Sequence, residues 1–129
     1  MPKIHFLGYV PPERFFPEID VLIVPSLCND TLPGVVFESF AYGVPVIGSD
    51  RGGIPEMIQQ GINGFLFDPN HPEQMEDLIN MVTEDCSRVE SMRKSCLRTA
   101  HPFLNITEWL DKWEALYGKV ARRKKESAC

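Results

Sequence analysis

The sequence of 129 residues predicts an α/β fold, a parallel sheet flanked by helices. Three observations predict it. Two apolar runs, Val21–Val24 and Val44–Ile47, are each bounded by turn chemistry. Between them lies a helix-like block, Val35 to Tyr42, opened by Pro33-Gly34 and closed by Gly43. From His71 onward the hydrophobic spacing becomes helical. Strand, loop, helix and strand in that order make one βαβ unit. Its polar residues gather where the first strand stops and the helix begins, the carboxyl edge at which open parallel sheets bind ligands.

Taken in order, Ile4 to Leu7 reads as a short strand before Gly8. Pro11-Pro12 opens a short helix over Glu13 to Glu18, because a proline's missing N–H has no helical partner at that position anyway. Ile19 to Val24 is the next strand, and Pro25-Ser26 ends it. Gly34 to Tyr42 is a helix with Glu38 and Ser39 on one narrow polar sector. Val44 to Ile47 follows as a buried strand. Gly52-Gly53 permits unusual backbone shapes, Ile54 to Gln60 reads as a helix ended by Gly61, and Glu56 complements its dipole. Asn63-Gly64 is a turn signal leading into the strand Phe65–Phe67. Met75, Leu78, Ile79 and Val82 then fall at helical spacing. Glu84 to Thr99 is a further helix, broken by Pro102. Asn105 or Thr107 caps a last helix in which Trp109, Trp113 and Tyr117 recur every fourth residue, a stripe suited to a core or an interface. The run Arg122-Arg123-Lys124-Lys125 is a solvated tail or a contact for anionic lipid heads.

Length sets one domain, and 43% hydrophobic content suffices for its core. A net charge of −5 disfavours bulk nucleic-acid binding. No window approaches the ~18 apolar residues of a membrane span. The opening residues lack a secretory pattern, which leads us to expect a cytoplasmic protein. Cys28, Cys86, Cys96 and Cys129 form no C-x-x-C and no ligand-like pattern with His5, His71 or His101. Reduced thiols and no metal site are therefore expected.

The chemistry centres on two acids, Asp30 in the loop and Glu38 a turn into the helix. If the helix begins at Gly34, its first amides are free and carry the positive end of the dipole, which suits a phosphate. Glycine lets a ligand come close to the backbone. Glu38 lies about 6 Å further along the axis at ~1.5 Å per residue. As an ionised carboxylate it accepts hydrogen bonds from hydroxyls and repels phosphate. Diphosphate at the helix mouth, sugar near Asp30 and ribose near Glu38 would suit this layout. On the residues alone, Asp30 is equally a turn or cap residue and Glu38 an acid facing water.

Five elements in order carry a resemblance: Pro25-Ser26, the acid-x7-acid pair Asp30 and Glu38, Gly43-Val44-Pro45-Val46-Ile47, Gly52-Gly53-Ile54-Pro55-Glu56, and Asn63-Gly64-Phe65. Together they resemble the donor-binding half of retaining glycosyltransferases with two Rossmann-like domains, the GT-B architecture, of the family 4 or group 1 type. One departure is visible, since the first acid of that motif is usually Glu and here is Asp30. The resemblance implies transfer of a sugar from a UDP- or GDP-linked donor to a hydroxyl, with retention. The acceptor would be a glycan or lipid-linked saccharide, as in O-antigen or capsule synthesis. Asp30 would be catalytic and hold the donor sugar. Pro33, Gly34 and Val35 would hold the phosphates, Glu38 the ribose, and Tyr9 and Val10 would lie beside the base, where a plain turn is the alternative. Gly52 and Gly53 would form the glycine loop near the sugar. No cofactor or metal is implied. A GT-B epimerase or phosphorylase fits the acid pair less well. A non-catalytic nucleotide-binding or assembly module is the alternative from another class.

Against that family pattern, residues 1–129 read as a single partial C-terminal domain, 1–68 its β/α part and 69–129 its C-terminal helices. The first two β/α units and the N-terminal acceptor domain would be absent. The expected consequences are that this chain does not turn over alone and that its open edges lead to a rearranged or self-associated sheet. The resemblance also implies that the last helix crosses toward the other domain and that the enzyme works at the inner face of the membrane.

Overall fold

A computed structural model describes residues 4–126. Three parallel strands, β1 (Leu22–Val24), β2 (Val46–Ser49) and β3 (Gly64–Phe67), stand side by side in the order β1-β2-β3. Leu22 pairs with Val46, and Val46 with Gly64. Side chains alternate across the sheet as strand geometry requires. Leu22 and Val46 face one hydrophobic cluster, and Ile47, Phe65 and Phe67 face the other.

The helices are α1 (Pro12–Phe15), α2 (Gly34–Ala41), α3 (Ile54–Met57), α4 (Pro72–Glu84), α5 (Cys86–Leu104) and α6 (Ile106–Glu126). A turn of 3-10 helix, Phe16–Glu18, follows α1. Helix α2 covers the first face with Val36 and Phe40, both fully buried, and packs against Cys96 and Ala100 of α5. Val82 of α4 with Val89 and Met92 of α5 cover the second face. Burying each such side chain contributes about 1.5–3 kcal/mol. The chain is thus a Rossmann-like α/β layer structure, as its periodicities predict.

Several boundaries depart from the sequence reading, among them β1, which begins at Leu22 and not at Ile19, and five have a local reason. Ile4 to Leu7 is not a strand: it has no ladder partner among the described residues, and its Phe6 is 98% exposed. The sheet is accordingly not rearranged around it. The predicted strand Val44–Ile47 begins instead at Val46, because the Val44 amide donates to Ser39 O of α2 (2.9 Å) and Pro45 has no amide. Helix α3 stops at Met57 rather than Gln60. There the Asn63 side chain captures the Gln59 amide at 2.7 Å and draws the chain out of helical geometry. Helix α5 starts after Asp85, whose carboxylate accepts from Ser87 N at 3.2 Å, not at Glu84. It also runs through Pro102 to Leu104, since the carbonyl that this proline leaves unpaired belongs to the exposed Arg98.

Asn105 then caps α6, its Oδ1 accepting from Glu108 N at 3.2 Å, and Trp109, Trp113 and Tyr117 follow along one exposed face. Arg122 and Arg123 are exposed, while the side chains of Lys124 and Lys125, and the whole of Cys129, lie outside the described part. No helix among the described residues is long and apolar enough to cross a membrane.

Candidate functional site

All three strands run into the same edge, so their following loops converge there. After β1, Ser26 bends the chain: its hydroxyl lies 3.3 Å from both the amide and the carbonyl of Cys28. Its own carbonyl accepts from Ser49 Oγ at 2.6 Å, which ties the end of β1 to the end of β2. The Ser49 side chain is fully buried, so this bond holds the spacing between the two loops.

The glycine loop then fixes the first acid. Gly53 N donates to Asp30 O at 2.8 Å. A Cβ on Gly52 would stand 2.2 Å from Asp30 O, and one on Gly53 only 1.5 Å from Thr31 O. Gly52 also sits at φ +55, where side chains are strained. Backbone meets backbone here with no room for a side chain. The glycine pair seats the Asn29–Thr31 segment and thereby positions Asp30. The Asp30 carboxylate is exposed and makes no hydrogen bond or ion pair to another described residue, so it is not the cap of α2.

Pro33 precedes α2, and no side chain caps that helix. Its opening amides are therefore left to solvent or ligand. Space around Gly34 is open, with no atom within 4 Å of where a Cβ would lie. One turn along, Glu38 is exposed, whereas its neighbour Ser39 is fully buried with its hydroxyl on Val44 O at 2.8 Å. The predicted common polar sector is thus split: only Glu38 faces outward.

Glu38 and Val35 form one wall of a groove of about 290 Å³ whose opposite wall is the Leu7–Val10 segment, floored by Phe15 and Phe16. Gly8 makes the turn there at φ +65. Four residues singled out from sequence, Tyr9, Val10, Val35 and Glu38, therefore share one concavity. Asp30, Pro33 and Gly34 do not line it. The floor was missed in the sequence because Phe15 and Phe16 read there only as helix residues. Phe16 is anchored by a stack on Tyr42 at 5.3 Å.

Charge at this edge is mixed. Of the loops after the three strands, only that after β2 carries an arginine or lysine, Arg51. The Asn70 amide, 2.9 Å from Asp68 Oδ1, holds that carboxyl below its ordinary range, with His71 and Arg51 adding to the effect. No group of three or more His, Cys, Asp or Glu side chains among the described residues could hold a metal.

Thiol chemistry divides by burial. Cys28 and Cys86 are exposed, while Cys96 is buried with Sγ 3.5 Å from Asn63 O, and desolvation pushes its pKa from the ordinary 9.0 up to about 12. A thiol reagent at pH 8 should modify Cys28 and Cys86 in the native chain and Cys96 only after denaturation, as peptide mass mapping would check. Native labelling of Cys96 at a similar rate would contradict its burial. Because the folded value is raised, the stability this thiol contributes is complete below about pH 9 and is lost as pH rises toward 12.

A parallel sheet flanked by helices, with the loops after its strands gathered at the carboxyl edge, defines an α/β domain of the Rossmann-like class. The chain belongs to the group 1 glycosyl transferases, whose family profile matches residues 1–85. It is 34% identical over 106 residues to spore coat protein SA of Bacillus subtilis, covering 78% of this chain and 28% of that protein. It is 29% identical over 122 residues to D-inositol 3-phosphate glycosyltransferase of Corynebacterium diphtheriae, covering 92% of this chain and 28% of that enzyme. Among solved structures, Anabaena Alr3699/HepE in complex with UDP and glucose superposes with a TM-score of 0.79 at 23% identity, over 88% of this chain and 32% of that one. The chain thus spans less than a third of each of these proteins.

Proposed function

We propose that the chain is the donor-binding part of a retaining family 4 glycosyltransferase that moves a sugar from a UDP- or GDP-linked donor to a hydroxyl. The observation that carries this reading is the groove shared by Tyr9, Val10, Val35 and Glu38, opening beside an uncapped helix mouth. The base lies against Tyr9 and Val10, and the ribose hydroxyls donate to Glu38. The diphosphate meets the amides of Gly34 and Val35 beyond Pro33. Asp30, held out by Gly52 and Gly53, accepts from the donor sugar's hydroxyls and acts at the reacting centre.

Catalysis in this reading consists of positioning the donor and stabilising the departing diphosphate, with no protein-bound cofactor or metal. The acceptor is a glycan or lipid-linked saccharide, presented by a further domain at the cytoplasmic face of the membrane. The chain spans about 28% of the two curated relatives, and by itself it binds donor without turning over.

Titration calorimetry with UDP and GDP tests the seat. Glu38→Ala should weaken binding about ten- to a hundredfold, the loss of charge-assisted hydrogen bonds. Gly34→Ala separates binding from folding. A methyl there meets no protein atom within 4 Å, so the melting temperature should hold or rise. Nucleotide affinity should still fall about tenfold, because the methyl occupies the phosphate's place. Unchanged affinity in both variants would remove the helix mouth from the site.

The 34% identity to a relative named for a spore coat favours the second reading, a nucleotide-binding or assembly module without turnover. Full-length protein that binds UDP or GDP but transfers no sugar to any acceptor would support that module over the enzyme.

A further inference from the structure

Residues 4–18 carry the far wall and the floor of the groove, and little holds them to the rest of the chain. Among the described residues their hydrogen bonds reach no further than Ile19. The amides of Arg14 and Phe15 donate to Pro11 O at 3.0 and 3.1 Å, and that of Ile19 to Phe16 O at 3.4 Å. No ion pair between described residues leaves the strip either. Helix α1 buries no residue, and in the turn after it Phe16 alone is buried, at 2% exposure. Phe6 and Tyr9, at 98% and 91%, lie open on the strip's outer side.

Docking therefore rests on one aromatic anchor. Phe16 joins the cluster of Val36 and Phe40 on the buried side of α2, and Phe15 meets it edge-on, ring centres 5.4 Å apart. A third ring completes the seat. Tyr42, the residue at the C-terminal end of α2, stacks on Phe16 at 5.3 Å with the planes only 20° apart. Tyr42 does not line the groove, is itself exposed, and its hydroxyl bonds to no described residue. What it contributes is the face of its ring. A stack of this kind shifts a local equilibrium about two- to tenfold.

We propose that Tyr42 is a positioning residue for the nucleotide: its ring seats Phe16, and Phe16 sets the Leu7–Val10 wall at its working distance from Val35 and Glu38. The proposal rests on the donor-groove reading given above. The groove exists only while the strip is docked, so nucleotide affinity scales with the docked fraction. By the same linkage, bound nucleotide holds the strip down.

Trypsin reads the docking, because Arg14 is exposed within α1 and its peptide bond is cut only when that helix opens. Arg98, in the middle of α5, reports on unfolding of the chain as a whole. Tyr42→Ala should be cut after Arg14 about two- to tenfold faster than wild type, with cleavage after Arg98 unchanged. Calorimetric affinity for UDP or GDP should fall about two- to fivefold in the same variant. Saturating nucleotide should slow the cut after Arg14 in both chains. Tyr42→Phe keeps the ring and should match wild type in every readout.

Wild-type cleavage after Arg14 in Tyr42→Ala overturns the proposal. Cleavage that rises equally after Arg14 and Arg98 overturns it too, since Tyr42 then supports only the stability of the whole chain. So does an unchanged affinity beside a faster cut, which would free the nucleotide from the strip, and so does a Tyr42→Phe chain that behaves as Tyr42→Ala. A wild-type chain that binds neither nucleotide removes the donor-groove reading and this role with it. A wild type that binds beside a Tyr42→Ala chain that binds equally well removes this role alone.

Discussion

Gly53→Ala should destabilise the chain by about 3 kcal/mol or more and abolish nucleotide-sugar binding together with it. Strain in φ is not the cause, since Gly53 has φ −87. The cause is space: the new methyl would lie 1.5 Å from Thr31 O and 2.6 Å from Thr31 C. Backbone cannot swing aside as a side-chain end can, so one of the two loops must move. Moving either breaks the 2.8 Å bond from Gly53 N to Asp30 O and releases the first acid. Urea denaturation together with donor titration reads both effects. The contrast with Gly34→Ala is diagnostic, because the same chemical change falls there on open space. A Gly53→Ala chain with wild-type midpoint and wild-type affinity would show that the glycine loop does not seat the acid.

Asn63→Ala should cost about 3 kcal/mol, from a residue that touches no part of the candidate site. Its side chain is fully buried and every polar atom is used. Oδ1 accepts from Gln59 N at 2.7 Å, and Nδ2 donates to Met57 O at 3.1 Å and to Thr99 Oγ1 at 3.3 Å. Truncation strands the Gln59 amide and the Met57 carbonyl and leaves a small cavity where α3, α5 and β3 meet. Thermal unfolding should show the loss, while nucleotide affinity measured well below the transition should stay near wild type. A loss of stability of less than about 1 kcal/mol would mean that water replaces the amide there. An affinity that falls in parallel would give Asn63 a part in the site.

Much of the fold is legible in the sequence because the strong signals there are periodic. Val36 and Phe40, four apart, mark the buried face of α2, and Leu22, Val46 and Ile47 mark the strands they belong to. What escapes is decided by single polar contacts between distant residues. The early end of α3 follows from Asn63 capturing the Gln59 amide, and Asn63 reads in sequence only as half of a turn. The late start of β2 follows from the Val44 amide bonding Ser39 O, a helix-end bond that no local pattern announces. Ile4–Leu7 has the composition of a strand, but a strand exists only against a partner. The site divides the same way. Its acids, its glycines and its helix mouth stand in linear motifs and can be named in advance. The groove floor of Phe15 and Phe16, and the close approach that turns Gly52-Gly53 into a seat for Asp30, exist only once the chain has folded.

In the proposed function a nucleoside diphosphate settles between the Tyr9–Val10 segment and the opening turn of α2. Amide chemical-shift mapping of the isotope-labelled chain, titrated with UDP and with GDP, tests it most directly. Saturable shifts are expected at Tyr9, Val10, Gly34, Val35 and Glu38, weakened in Glu38→Ala. Shifts confined to other surfaces, such as the cavity lined by Ile23, Ile79, Val82 and Val89, or no saturable shift in either the chain or the full-length protein, would contradict it.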